Sequence, residues 1–269
     1  MLPHTARDTW QGRGKYKEPT APDTTGLPEL PEGWVWASLD ELVSGQPRSM
    51  QSGPFGSNLK HSEFQPHGIL VVGIDNVRDG EFSLGSENRI SEQKYAELEK
   101  YTARSGDLLV TVMASLGRTC VVPEDLETAI ITKHVYRITM EQNLLAPEFY
   151  NMVMQTEWVS RRHMFKNAQG QTRPGLNSSI LKSLPVPLPT LEEQQEIVQM
   201  LNVRLSEISQ FQNQLNPEFS RVTALRQSIL KDAFAGKLVP QDPSDEPAAE
   251  LLARIRASRP APVRKKARA

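Results

Sequence analysis

Apolar residues recur at alternating steps of three and four between Pro189 and Gly236, and no other stretch of the chain holds a period for so long. The seam reads Leu191, Gln194, Val198, Leu201, Leu205, Ile208, Gln212, Leu215, Phe219, Val222, Arg226, Ile229 and Ala233. A repeat near 3.5 residues is what a helix shows when it packs along a partner helix. About 45 residues of helix span roughly 68 Å at 1.5 Å per residue, more than a core within the same chain calls for. The pattern therefore predicts a long helix over 189–236 that meets something else. The competing reading is an ordinary amphipathic helix against its own domain, although globular helices average only about 11–12 residues. Gln194, Gln212 and Arg226 put polar groups on the seam, where they weaken packing but fix register. At Pro217 two arrangements are open: a kink where the proline removes a hydrogen bond, or a second helix capped by Asn216 with Pro217 at its first position. Because the seam crosses the proline in phase, a kink or tight break between near-collinear segments is expected.

Upstream the period changes. Residues 1–29 hold Pro3, Pro19, Pro22 and Pro28 with almost no apolar periodicity and read as a disordered linker or tail. Structure is expected from Leu30, with Trp36, Leu39, Leu42 and Val43 at the spacing of a short helix behind a Ser38 cap. From Gly53 to Ile138 short β-rich runs take over, among them Ile69–Val72, Asp107–Val112, Thr119–Val122, Ala129–Ile131 and His134–Ile138, punctuated by Asp79-Gly80, Ser105-Gly106 and Leu116-Gly117. Ser91–Tyr101 reads as a helix, and Pro147–Lys166 as a second with proline in its first turn. A polar, glycine-containing loop follows over Asn167–Ser179, and Pro185, Pro187 and Pro189 suggest a stiff extended exit. Gly236 suits a helix C-cap, and Glu246–Arg256 has the pattern of one more short helix within a 237–257 extension. Residues 258–269 continue a run of Arg and Lys without acidic residues and read as a basic disordered tail. The fold class expected is α+β: one mixed domain with a β-rich core over 30–188, a long coiled-coil-type helix and a short C-terminal helix.

Composition narrows the function. In 269 residues the net charge is −1, so any nucleic-acid surface must come from local segregation of charge. The single cysteine, Cys120, excludes an internal disulfide and fits a reducing cytosol. There is neither an 18-residue apolar run nor a charged-then-apolar start, so neither a membrane span nor secretion is expected, and a cytoplasmic location is. No phosphate-binding G-x-x-x-x-G-K-[ST] loop and no glycine-rich dinucleotide or adenosyl fingerprint is present. Asn216-Pro217-Glu218-Phe219 only superficially resembles the N-P-P-[FY] loop of amino-methyltransferases, since a glutamate replaces the second proline. The five histidines have no metal-ligand spacing, and Ser115 with His134 lacks an elbow or acidic orienter, so no catalytic residue and no metal ligand is assigned. The residues read as a binding protein.

Five blocks, LPEGWVWASLDELV (Leu30–Val43), GPFGSNLK (Gly53–Lys60), GDLLVTVMASLGRTCVV (Gly106–Val122), NSSILKSLPVPLPTLEEQQEIV (Asn177–Val198) and LRQSILKDAFAGKLVPQDPSDEPAAELLARI (Leu225–Ile255), resemble the specificity (S) subunit of type I restriction-modification systems. The resemblance covers nearly the whole chain. Family members usually carry two target-recognition domains joined by helices acting as a ruler; this chain resembles one such domain with one spacer, a half-length subunit or carboxy-terminal half. The resemblance implies double-stranded DNA as partner, with docking of methyltransferase (M) and restriction (R) subunits and pairing with a second half-subunit or a second copy. S-adenosylmethionine, ATP and Mg would be bound by those partners and no cofactor by this chain, which would then be a non-catalytic component of a site-specific deoxyribonuclease and adenine methyltransferase complex. Alternatives are the recognition part of a single-chain restriction-methylation enzyme, or a helical adaptor without DNA contact. A rod near 68 Å corresponds to about two turns of B-DNA at about 34–36 Å each.

Base-reading residues do not transfer by motif, so contacts are inferred from chemistry. Ser115 and Arg118 pair a small turn with a guanidinium suited to guanine or phosphate. Gln171, Thr172 and Arg173 group an amide, a hydroxyl and a guanidinium in the polar loop. Arg161, Arg162, His163 and Lys166 suit phosphates, or simply complement a helix C-terminus. Lys60 after Gly53–Asn58 suits a phosphate approached by backbone amides, and Asn76 with Arg78 and Lys133 with His134 are further candidates. The partner-binding set expected on the rod is Leu191, Val198, Leu201, Leu205, Ile208, Leu215, Phe219, Val222 and Ile229.

Overall fold

The computed structural model describes residues 18–19, 21–85, 87–168, 175–240 and 242–258, with the side chains of Glu157 and Trp158 excepted. The chain divides into two compact units, the first ending at Arg204 and the second starting at Leu205.

The first unit opens with β1 (Val35–Ser38), which leads directly into α1 (Leu39–Leu42). Ser38 is the N-cap expected from the sequence: its hydroxyl accepts from the Glu41 amide and the Glu41 carboxylate accepts from the Ser38 amide. Trp36, expected in that helix, lies in the strand instead, because β1 pairs antiparallel with β10 (Pro185–Leu188), setting Trp36 opposite Pro187. The stiff proline exit is thus a strand. It tolerates two prolines in four residues because a two-stranded ribbon leaves one edge of each strand without ladder partners.

Two four-stranded sheets follow. One is antiparallel, in the order β2 (Met50–Ser52), β9 (Val135–Ile138), β6 (Leu108–Thr111), β7 (Thr119–Val121). The other runs β4 (Arg89–Ile90), β3 (Ile69–Val72), β8 (Ala129–Ile131), β5 (Thr102–Ala103), its central pair β3–β8 being parallel. Alternation along β6 explains how the sheets stack. Leu108 and Val110 enter a core shared with the helices, whereas Leu109 joins Cys120, Val135, Leu70, Val72, Ala129 and Ile131 between the sheets. On the far side Val71 and Ile130 pack beneath α2 (Glu92–Leu98). Strands covered on both faces need apolar residues at every position, which is why LLV, ILVV and AII read as continuous runs. Arg137 of β9, 4% exposed, staples the sheets: it donates to the Thr102 and Arg48 carbonyls and faces Asp107 at 3.6 Å.

The helix expected over Pro147–Lys166 is three pieces: α3 (Pro147–Met154), a π-helical turn over Glu157–Arg161, and α4 (Arg162–Asn167). These pieces bury Phe149, Tyr150, Met154 and Met164 in one core with residues of the antiparallel sheet. Then α5 (Ser178–Lys182), capped by the Asn177 side chain, leads to β10.

The helix α6 (Leu191–Phe234) is continuous and contains Pro217, so the break considered there does not occur and Asn216 is an interior residue. Within the first unit its start is anchored. Thr190 caps it, Trp34 donates its indole N–H to Glu193 at 3.0 Å, and Ile197 and Val198 pack on the main core. Gln194, placed on the seam by its spacing, is 0% exposed. It is a clamp: its Oε1 accepts from the Ala146 amide (2.8 Å) and its Nε2 donates to the carbonyls of Leu144 (2.9 Å) and Pro189 (3.2 Å).

In the second unit every residue of α6 from Leu205 through Lys231 is exposed. Gly236, at φ +71°, ends the helix as expected, with its amide donating to Ala233 and that of Lys237 to Asp232, the paired bonds of a Schellman cap. A final helix, α7 (Ala248–Ser258), buries no residue. Ala21–Leu30, part of the segment read as a disordered tail, lies against the head: a turn joins Leu27 to Thr24, and Trp36 donates to the Pro28 carbonyl. The tail from Arg259 lies outside the described residues.

Candidate nucleic-acid interface

Register places the ends of six strands at one rim. Across the antiparallel sheet Ser52, Tyr136, Val110 and Thr119 form one row, so β2 and β6 end where β9 and β7 begin. In the other sheet Val72 lies beside Ile131, and the Thr132 amide donates to the Val72 carbonyl, so β3 and β8 end at the same rim through the short turn from β8 into β9. Four connections emerge there: 53–68 after β2, 73–88 after β3, 112–118 after β6 and 132–134 after β8. They carry Lys60, Arg78, Ser115 with Arg118, and Lys133. Five candidates scattered through 74 positions of sequence thus meet because strand direction, not sequence proximity, sets their place.

The closest grouping is Arg78 with Arg118. Together with Asp75, Asp79 and Gly85 they line an open cleft of about 560 Å³. Arg118 sits on a fixed pedestal. Buried Thr111 accepts its amide (3.0 Å) through Oγ1, the Thr111 amide donates to the Arg118 carbonyl (2.9 Å), and the Thr111 hydroxyl donates to the Ser115 carbonyl. Gly117 takes φ +76° in this turn, and a Cβ there would stand 3.0 Å from Met164. Ser115 therefore contributes its backbone to the turn while the exposed Arg118 side chain is presented from it. Arg78 is also exposed, on a loop tied at two points: the Gly80 amide donates to Thr119 and the Gly80 carbonyl accepts from Asn151.

Other candidates fall differently. Asn76 is buried, bonding the carbonyls of Ser83 and Leu84 and the Gly73 amide, and is a brace for the loop, not a contact. Arg161 is ion-paired with Asp79, a residue of the cleft lining. Arg162 and Lys166 are exposed on α4, with Lys166 in electrostatic reach of Asp23. His163 is half-buried, its Nε2 3.1 Å from the Ser183 hydroxyl, and desolvation holds its pKa below the usual histidine value. Desolvation, with Lys133 beside it, does the same to His134. Lys60 and Lys133 are exposed; Gln171, Thr172 and Arg173 lie outside the described residues. Burial pushes the Cys120 thiol up to about 12, which leaves it protonated and unreactive.

On α6 the expected partner set divides. Leu201, Leu205, Ile208, Leu215, Phe219, Val222 and Ile229 are exposed, as are Phe211 and Leu225 beside them. Val198 is spent on the head's own core, and Leu191 is half-buried at the first turn. Sequence reasoning missed Thr111, Gln194 and the Trp34–Glu193 bond. The last joins two blocks, LPEGW and LPTLEEQ, that both carry the resemblance noted in the sequence.

The first unit thus gathers loop cations at one rim, and a row of large apolar side chains is exposed along α6. Residues 68–218, more than half of the chain, match the family described as the type I restriction modification DNA specificity domain. The chain belongs to that family. It is 31% identical over 248 residues to the type I restriction enzyme EcoBI specificity subunit of Escherichia coli, covering 88% of this chain and 50% of that one. The EcoDI specificity subunit of Escherichia coli is 26% identical, covering 90% and 52%. The crystal structure of an HsdS subunit from Thermoanaerobacter tengcongensis shares the fold, with a TM-score of 0.54 and 21% identity over 79% of this chain and 48% of that one. A chain from a structure of the type I R-M system does so with a TM-score of 0.60 at 20% identity, over 79% and 48%. The chain spans about half the length of the curated relatives it matches. Among the described residues no helix is long and apolar enough to cross a membrane.

Proposed function

We propose that this chain is a DNA-reading half of a type I restriction-modification specificity subunit. It recognises a few base pairs of double-stranded DNA through the rim that carries Arg78, Arg118, Lys60 and Lys133. The observation that carries this reading is the cleft in which two arginines from different loops converge, one of them locked at both backbone groups by Thr111. Guanidinium groups presented from a backbone fixed ahead of contact suit bidentate bonds to guanine or phosphate. A cleft that also holds Asp75 and Asp79 disfavours indiscriminate phosphate binding, since each carboxylate repels a backbone that its neighbours attract.

The exposed stripe of α6 is the docking element. Each large apolar side chain it buries against a neighbour contributes about 1.5–3 kcal/mol, so a partner covering several of them binds firmly. The occupant we assign is a methyltransferase subunit together with a second specificity half, either a separate chain or another copy. The helix supplies about 66 Å of spacing for its 44 residues at 1.5 Å each. S-adenosylmethionine, ATP and Mg belong to the methyltransferase and restriction subunits, and the chain acts without chemistry of its own in the cytoplasm.

The test is titration of the pure chain into fluorescent duplex DNA at several salt concentrations. Affinity falls with salt, and Arg118→Ala lowers the log–log salt slope by about one. Binding that is absent with and without the methyltransferase subunit, or indifferent to salt, refutes the assignment.

A further inference from the structure

Two large apolar side chains stand uncovered at the same rim as the cations. Phe55 is 61% exposed and Leu84 50% exposed, whereas most apolar side chains of the head are buried. Neither sits on a slack segment. Gly53 donates to the Val135 carbonyl, and a Cβ on it would meet the Ile131 carbonyl oxygen at 2.2 Å, so only glycine lets the chain pass so close to β8. Pro54 is buried after it. A 3₁₀ turn over Gly56–Asn58, entered at φ +63°, then closes with the Asn58 amide on the Phe55 carbonyl. Leu84 is held by Asn76, whose Nδ2 donates to the Leu84 carbonyl at 2.7 Å and to that of Ser83 at 3.0 Å. The next residue, Gly85, lines the cleft shared by Arg78 and Arg118. Three strand spacings of about 4.8 Å separate Ser52, the residue before Gly53, from Thr119, so the strand ends that carry the Phe55 loop and Arg118 lie about 14 Å apart, well within one turn of duplex DNA.

An apolar ring in water on a braced loop is unfavourable until something covers it, and the cations around it select what that is. Lys60 and Lys133 flank the Phe55 loop, the latter beside Thr132, which Gly53 abuts, and Arg78 with Arg118 flank Leu84. A flat, apolar and polyanionic partner fits both features, and nucleobases within a phosphate backbone have that chemistry. We infer that Phe55 stacks on, or wedges between, bases of the bound DNA, with Leu84 making the second apolar contact from the neighbouring loop. This rests on the DNA-reading assignment above and adds to it a contact that carries no charge.

The salt dependence separates the two. With the full chain and a fluorescein-labelled pool of 40-base-pair duplexes of randomised sequence, Phe55→Ala and Leu84→Ala each weaken binding, roughly tenfold for the aromatic, without changing the salt slope. Arg118→Ala lowers the slope instead. Phe55→Trp retains binding, and its added indole emission is quenched by DNA relative to the parent protein. Unchanged thermal melting of both alanine variants accompanies this, since neither side chain is buried. Undiminished affinity in both alanine variants, while Arg118→Ala weakens binding, overturns the stacking contact and leaves the DNA-reading assignment standing. Failure of the parent chain to bind the pool, both alone and with the methyltransferase subunit, overturns both.

Discussion

Gln194 joins the start of the long helix to the head, and its substitution has a size that the structure sets. The amide makes three bonds from a site without solvent access, to the Ala146 amide and the carbonyls of Leu144 and Pro189. Gln194→Leu keeps the approximate volume and removes all three. The Ala146 donor then lacks its partner at a cost of about 1–3 kcal/mol, and two carbonyls lose theirs at less each, since acceptors with two lone pairs tolerate it better. The expected destabilisation of the head is about 3 kcal/mol, roughly a 150-fold change in the folding equilibrium. Urea unfolding followed by tryptophan emission reads it directly, because Trp34 bonds to Glu193 one position away. Gln194→Glu is the sharper variant. A carboxylate still accepts from Ala146 but faces two carbonyls it cannot satisfy, so its folded-state pKa rises above the unfolded value of about 4.3. Its stability relative to the parent is greatest below that pH, where the protonated acid donates to one carbonyl, and is lost as pH rises through the folded pKa. A Gln194→Leu protein within 0.5 kcal/mol of the parent, the scale of an ordinary surface change, would refute the clamp.

Other variants test separate features. Tyr150 is fully buried and its hydroxyl has no hydrogen-bond partner among the described residues, so Tyr150→Phe should raise the urea midpoint by the equivalent of about 1 kcal/mol; a loss of stability would show that the hydroxyl is bonded. Pro217 interrupts the hydrogen-bond ladder of an otherwise continuous helix, so Pro217→Ala should strengthen it by up to about 3 kcal/mol and increase helical circular dichroism, whereas an unchanged signal would mean the helix ends at Asn216. Desolvation, aided by Lys166 and opposed by Asp23, depresses the folded-state pKa of His163 below 6.5. In the window below 6.5 the unfolded chain binds the extra proton, so this contribution to stability is complete above it and is lost as pH falls toward the folded pKa. His163→Gln should flatten that part of the stability–pH curve, leaving the part due to His134, and an unaltered slope would contradict the assignment.

The sequence by itself determined whatever depends on a local period or a single turn. The heptad seam of α6, the runs of β3, β6 and β8, the Ser38 capping box and the Gly236 terminus all follow from residues within a few positions of one another, whose geometry the backbone sets. Tertiary structure decided the rest, because it turns on partners far apart in the chain. Gln194 has the spacing of a seam residue, yet its three bonds fall on backbone near 145 and at Pro189, and only burial distinguishes a clamp from a coiled-coil polar position. Trp36 carries a helical spacing that β10, some 150 residues later, overrides by offering a strand. Arg161 reads as a lone cation near a helix end, and only the fold brings Asp79, 82 residues away, beside it. Arg78 and Arg118 belong to one cleft because the end of β3 and the turn closing β6 onto β7 share a rim, and register between strands appears in no local pattern of the chain.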